Sequence, residues 1–188
     1  MFCSLSHPSQ LEKSYLFQPQ DLLPSRFNSL WKIESGVVKV TTYSENGDLI
    51  VLGLWGEGDL VGKKLGTIEP YDIICLTKVK ASLIPFNNEL DLRSIFASHL
   101  QQIQELTVIR SYKTVDLMLL KLLIWLGQKF GRKTDQGNLI DVRLTHQELA
   151  DLIGSTRVTI TRILSQLEQQ GLIQKLSLQR IILNSFEI

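Results

Sequence analysis

Cysteine is nearly absent from this chain. Cys3 and Cys75 are the only two among 188 residues. They form no CxxC pair and no disulfide framework, so a reducing cytoplasm is the expected setting. Two thiols also exclude a four-cysteine iron–sulfur cluster. The three histidines, His7, His99 and His146, are dispersed, which argues against a clustered metal site. Haem ligation would draw on Cys3, His7, Cys75 or His99, at no recognisable spacing, and no metal or cofactor is expected. Paired carboxylates, a nucleophile elbow and a histidine cluster are all missing, which argues against an enzyme. No long apolar run is present either. The most apolar stretch, residues 117–126, contains Lys121 and is too short to span a bilayer. The N-terminal MFCSLSHPSQLEKSY lacks the basic start and apolar run of a secretory signal. A large excess of one charge sign is lacking as well: the net charge is +1. Residues 1–113 carry 11 basic against 12 acidic side chains, and residues 114–188 carry 9 against 7. The C-terminal part is thus slightly positive, a weak tilt toward an anionic partner.

What is present is concentrated in residues 144–173, LTHQELADLIGSTRVTITRILSQLEQQGLI. Thr145 followed by Glu148 is a capping box. Leu149, Leu152 and Ile153 then fall on one face of a short helix, and Ala150 is small enough for a second helix to cross closely. Gly154 ends that helix in the left-handed region, and Ser155 and Thr156 offer hydroxyls to cap the next.

In the second helix Ile160, Ile163, Leu164 and Leu167 recur at helical spacing and face inward. Arg157, Val158, Thr161 and Arg162 are left on the outer face near its N-terminal end. A recognition helix presents those positions to base edges in the major groove, where arginine grips guanine O6 and N7. Gln147, Ser155, Thr156 and Thr159 are candidates for phosphate contacts. After Gly171, residues 172–175 and 180–183 read as two short strands around a turn. That is a wing, with Lys175 and Arg180 available for phosphates. The competing reading is an αα-hairpin with a solvated face. The Gly-Ser-Thr turn, the two arginines and three threonines, and the wing weigh against it.

Residues 1–90 have β grammar. Residues 33–41 are strand-like and rich in β-branched side chains. Asn46-Gly47 marks a hairpin, residues 49–55 return, Gly56-Glu57-Gly58-Asp59 turns the chain, and residues 60–62, 73–77 and 80–85 complete an antiparallel jelly-roll or small barrel. Cys75 reads as a small core residue. Leu92, Phe96, His99, Ile103, Leu106, Arg110 and Lys113 then alternate in steps of four and three, a heptad seam. It would serve as a dimer interface or pack against the barrel. Residues 115–130 are apolar on most sides and suit a buried helix. Residues 131–138 read as a polar loop, and 139–143 as a short strand.

The run Leu144-Thr145-His146-Gln147-Glu148-Leu149-Ala150, then Ile153-Gly154-Ser155-Thr156-Arg157-Val158-Thr159-Ile160-Thr161-Arg162-Ile163-Leu164, resembles the DNA-binding domain of the Crp/Fnr family of bacterial regulators. Its recognition helix is most similar to the cyanobacterial global-nitrogen-regulator branch. Gly36, Gly47, Gly58-Asp59 and Gly62 fall on the pattern of that family's cyclic-nucleotide-binding-like barrel. The resemblance covers nearly the whole chain. It implies an α+β fold: an N-terminal antiparallel β jelly-roll at 1–90, a dimerisation helix at 91–113, and a C-terminal winged helix-turn-helix at 114–188. It also implies a homodimeric transcription regulator acting on double-stranded DNA, with RNA polymerase as a further partner. The seam Leu92, Phe96, His99, Ile103, Leu106 and Arg110 would then be the dimer interface. The catabolite activator branch carries Glu where this chain has Val158, which offers methyls to a thymine. The implied site is a palindrome of the GTA-N8-TAC type.

This chain departs from the family's cyclic-nucleotide binders. Gly62 is followed by Lys63, Lys64, Leu65 and Gly66, and no arginine lies between Gly62 and Thr77, whereas a buried phosphate needs a cationic fork or aligned amides. A cyclic nucleotide is therefore a doubtful ligand, and the effector is unknown. Two alternatives stay open: an effector-binding module whose helix-turn-helix contacts protein, and a haem- or cyclic-nucleotide-responsive member of the family.

Overall fold

The computed structural model describes residues 13–24, 28–87 and 90–184; Cys3 and His7 lie outside them. Seven strands come first: β1 (Ser14–Phe17), β2 (Ser29–Ser35), β3 (Val38–Tyr43), β4 (Leu49–Trp55), β5 (Leu60–Val61), β6 (Asp72–Cys75) and β7 (Val79–Pro85). They form two antiparallel sheets, in the orders β1-β7-β2-β5 and β4-β3-β6. The expected jelly-roll is thus a pair of facing sheets, with no closed barrel among the described residues. Trp31, Ile33, Val61, Val79 and Ala81 of one sheet share a core with Val38, Val40, Trp55, Ile73 and Cys75 of the other. Cys75 is fully buried, and burial pushes its thiol up to about 12.

The single strand expected over residues 33–41 is two strands. Gly36 has φ +90°, and a Cβ there would run into the Lys78 carbonyl. The chain turns at this glycine and passes from one sheet to the other. The Asn46-Gly47 turn joins β3 to β4 as expected, with Gly47 at φ +85°.

Helix α1 (Leu92–Arg110) follows, capped by the Asp91 carboxylate, which accepts from the Ser94 amide. Its inward row is His99, Gln102, Leu106 and Ile109. The heptad expectation is corrected here. Leu106 is buried in the core of the chain itself. The His99 ring lies 5.0 Å from that of Trp55, and its Nε2 is 2.7 Å from the Leu60 carbonyl. Arg110 donates to the Val51 and Leu152 carbonyls. The reason is helical: the steps from 99 to 102, 106 and 109 keep one face on β4 and on the next helix. Phe96 and Ile103 stay outside, 45% and 48% exposed, in line with Leu100 at 56%. Leu92 is half-buried.

Thr114 caps α2 (Val115–Phe130), whose Leu119, Leu122, Leu123 and Leu126 are the centre of the second core. The polar stretch after it is a hairpin rather than a loop: β8 (Gly131–Thr134) pairs with β9 (Gly137–Ile140). β8 is an edge strand, so its Arg132 and Lys133 point to solvent and the segment reads as polar. The strand expected over 139–143 ends at Ile140. α3 (His146–Ile153), α4 (Arg157–Gln169), β10 (Ile173–Leu176) and β11 (Arg180–Leu183) complete the chain. β10 and β11 join the last sheet in the order β10-β11-β9-β8. The second core runs on into Val51 and Leu54 of β4 and into Val37 and Leu76, next to β3 and β6, so α3 rests against β4. Among the described residues, no helix is long and apolar enough to cross a membrane.

Candidate nucleic-acid interface

The capping box is complete. The Glu148 amide donates to Thr145 Oγ1 at 3.1 Å, and the Thr145 amide donates to Glu148 Oε2 at 2.7 Å. Two orphan amides at the start of α3 are thereby satisfied. Leu149, Ala150, Leu152 and Ile153 are buried. Gly154 sits at φ +68°, ψ +43°, and the Ser155 amide returns to the Ala150 carbonyl at 2.9 Å. Only a residue at ease in the left-handed region closes this turn without strain.

Thr156 begins α4 as its cap, accepting from the Thr159 amide at 3.2 Å, and the two threonine hydroxyls lie 2.9 Å apart. Ile160, Ile163, Leu164 and Leu167 are buried, as their spacing predicts. Arg157, Val158, Thr161 and Arg162 are all exposed together on the outer face. Val158 is 80% exposed, an unusual place for a branched aliphatic in an isolated protein. Arg162 Nη1 donates to Gln166 Oε1 at 3.1 Å, which extends the guanidinium along the helix surface. The Arg157 guanidinium has no hydrogen bond or ion pair among the described residues.

The remaining candidates flank this face. Gln147 donates to Asp151 on α3. Ser155 is half-buried in the turn. In the wing, Lys175 pairs with Glu168 at 2.7 Å and lies 3.4 Å from Ser165 Oγ. That ammonium holds the Glu168 carboxyl below its ordinary value. Arg180 stands opposite Leu176 where the wing strands open. Thr161 differs from expectation in its chemistry: its hydroxyl is already engaged inside the protein, by the Arg157 carbonyl and by His146. The sequence gives no signal for His146, because its contact crosses from α3 to α4.

The N-terminal half is less decorated. A cavity of about 320 Å³ lies between β4, the turn after β5 and α1, lined by Leu52, Trp55, Ile68, Tyr71, Ile103 and Arg110 among others. Its guanidinium is committed to two carbonyls. Lys63, in that turn, is paired with Glu69, and Lys64 is exposed. Among the described residues no three His, Cys, Asp or Glu side chains converge as metal ligands would.

Residues 119–187 match the model of the Crp-like helix-turn-helix domain. The chain is 40% identical to the regulatory protein CysR of Synechococcus elongatus over 157 residues, covering 82% of this chain and 76% of that one. It is 26% identical to the global nitrogen regulator of the same organism, covering 77% of this chain and 72% of that one. Among solved structures, FixK2 from Bradyrhizobium japonicum superposes with a TM-score of 0.78 at 14% identity, covering 93% of each chain. A CRP-family transcriptional regulator from Thermus thermophilus gives 0.75 at 22% identity, covering 91% of this chain and 92% of that one. The match to CysR over most of both chains, together with the Crp-like helix-turn-helix match, settles the family: this chain belongs to the Crp/Fnr transcriptional regulators.

Proposed function

We propose that this regulator is a cytoplasmic homodimer that reads a two-fold symmetric promoter site through α4. The observation that carries the reading is the exposed face of Arg157, Val158, Thr161 and Arg162, with an aliphatic side chain held in water at its centre. Arg162 is the main base reader, and Arg157 contacts base or phosphate beside it. Gln147, Ser155, Thr156, Thr159, Lys175 and Arg180 hold the backbone and set the register. Val158 favours thymine methyls over a cytosine amine, which supports a GTA-N8-TAC type of half-site pair.

One recognition helix covers half a site, and a two-fold dimer places two of them about 34 Å apart. The stripe Phe96, Leu100 and Ile103 on α1 is apolar and exposed, and it is the surface proposed to pair with a second copy. It replaces His99, Leu106 and Arg110 in that role. The three-part division at 1–90, 91–113 and 114–188 belongs to this proposal, as does RNA polymerase as the partner that a promoter-bound dimer engages. The mostly apolar cavity, with its guanidinium already committed, speaks against a cyclic nucleotide as effector.

The test is a binding-site selection from random duplexes with the purified chain. A two-fold symmetric consensus is the expected result; enrichment without dyad symmetry, or no enrichment, overturns the reading.

A further inference from the structure

A threonine hydroxyl has one proton to give and two lone pairs to offer. The Thr161 hydroxyl gives its proton to the Arg157 carbonyl one turn back, at 2.9 Å. His146 Nδ1 lies 2.7 Å from the same oxygen. With the proton donated to that carbonyl, the hydroxyl accepts from the histidine, which requires the Nδ1–H tautomer of the ring. His146 stands at the first position of α3, so this bond joins the two helices of the motif.

A helical threonine otherwise divides between two rotamers, one of which bonds a carbonyl in the preceding turn. The histidine selects that one. What Thr161 retains for a ligand is a methyl group and one lone pair. It has no donor left for thymine O4, guanine O6 or a purine N7.

We propose that His146 is a positioning residue of the DNA reader: it keeps the Thr161 hydroxyl engaged with the protein's own groups, so that this position meets the groove with its methyl. Together with Val158, the strip between Arg157 and Arg162 is then aliphatic, and its complement is the thymine C5 methyl. This rests on α4 being the recognition helix. Burial, Lys175 and Arg157 together hold His146 below its ordinary value of 6.5. That direction favours the neutral ring near pH 7, and in its Nδ1–H tautomer the ring donates to Thr161.

The experiment uses the full chain on its selected duplex and on copies in which each thymine of the half-site is replaced in turn by uracil, which lacks the methyl. The unaltered chain loses about fourfold at the uracil facing Thr161, the worth of one methyl group. Thr161→Val keeps that loss and the base preference, because the methyl stays and only the inward-bonded hydroxyl is exchanged, for a second methyl. Thr161→Ser abolishes the uracil effect at that position. His146→Ala broadens the base preference there while Thr161 is present, and leaves it unchanged in the Thr161→Val background. His146→Asn, whose amide nitrogen stands where Nδ1 does, restores it. A tenfold loss or an altered base preference in Thr161→Val means that the hydroxyl reads a base, and overturns the proposal. Failure of the unaltered chain to prefer any sequence removes the recognition-helix reading itself, and this one with it.

Discussion

Arg110 Nε donates to the Leu152 carbonyl at 2.8 Å, tying the last turn of α1 to the last turn of α3. Its Nη2 reaches the Val51 carbonyl on β4 at the same time, at 2.6 Å. One guanidinium therefore holds the helix-turn-helix against the N-terminal sheets. The Leu152 carbonyl is among the last four of its helix, which have no partner within the helix. Arg110→Met keeps the aliphatic stem and strands both carbonyls. Hydrogen bonds to charged groups contribute about 1.5–3 kcal/mol each, so stability should fall by at least that of one bond. A lower urea midpoint, with faster amide exchange in α3, is the expected result. An unchanged midpoint would mean that water replaces the guanidinium at no cost.

The His99 ring supplies a pH dependence. It packs on Trp55, and burial holds it below its ordinary 6.5. The folded protein therefore resists a proton that the unfolded chain accepts. Stability is complete above pH 6.5 and is lost as pH falls from there toward the lowered folded value. His146 shifts in the same direction and adds to the slope. Urea midpoints measured from about pH 7.5 to 5 should decline through this window. His99→Gln, able to donate to the Leu60 carbonyl but not to titrate there, should flatten the decline. An identical pH profile in that variant would place the sensitivity elsewhere.

The helix-turn-helix was legible because its determinants are local. Thr145, Glu148, Gly154 and Thr156 act within four residues of themselves, and the apolar spacing of α4 fixes its buried face. The α1 face was not legible. A heptad pattern selects Phe96, His99, Ile103 and Leu106 together, yet β4 and α2 take His99 and Leu106 from that set, and nothing in the spacing says which neighbour arrives first. The break at Gly36 was hidden for a similar reason, since the Lys78 carbonyl that requires a glycine there is more than forty residues away. The β8–β9 hairpin read as a loop because an edge strand keeps polar side chains. The link between His146 and Thr161 is tertiary, and neither residue betrays it alone.

The revised α1 surface predicts which substitutions affect assembly. Phe96, Leu100 and Ile103 lie at i, i+4 and i+7, a continuous apolar stripe. Placing a carboxylate in a paired stripe buries an unpaired charge on each side of the two-fold axis. The unaltered protein should sediment at twice the 21.4 kDa of one chain and Ile103→Glu at that mass itself, with a fall in DNA affinity. Gln101→Lys, exposed on α1 well round the helix from this stripe, should leave assembly intact. A dimer that survives Ile103→Glu would put the interface on another surface.

Base reading and backbone holding are separable in the same way. Arg162 lies on the exposed face of α4, extended toward Gln166; Lys175 sits in the wing, paired with Glu168. Arg162→Ala should cost about 1–3 kcal/mol on the selected site and relax the preference at one base pair per half-site. Lys175→Gln should weaken all duplexes alike, and should lessen the slope of log affinity against log salt by about 0.9 for each phosphate that the chain no longer neutralises. Glu168 loses its ammonium partner in that variant and keeps only the residue-175 amide, which leaves an uncompensated negative charge, so Glu168→Gln with Lys175 intact is the needed counterpart. It should strengthen binding, because an ammonium released from its carboxylate is free for phosphate. Binding isotherms at several salt concentrations, on the selected duplex and on a scrambled one, distinguish the two behaviours. If Arg162→Ala lowers affinity equally on both duplexes, Arg162 is a phosphate contact and the base reading passes to Arg157.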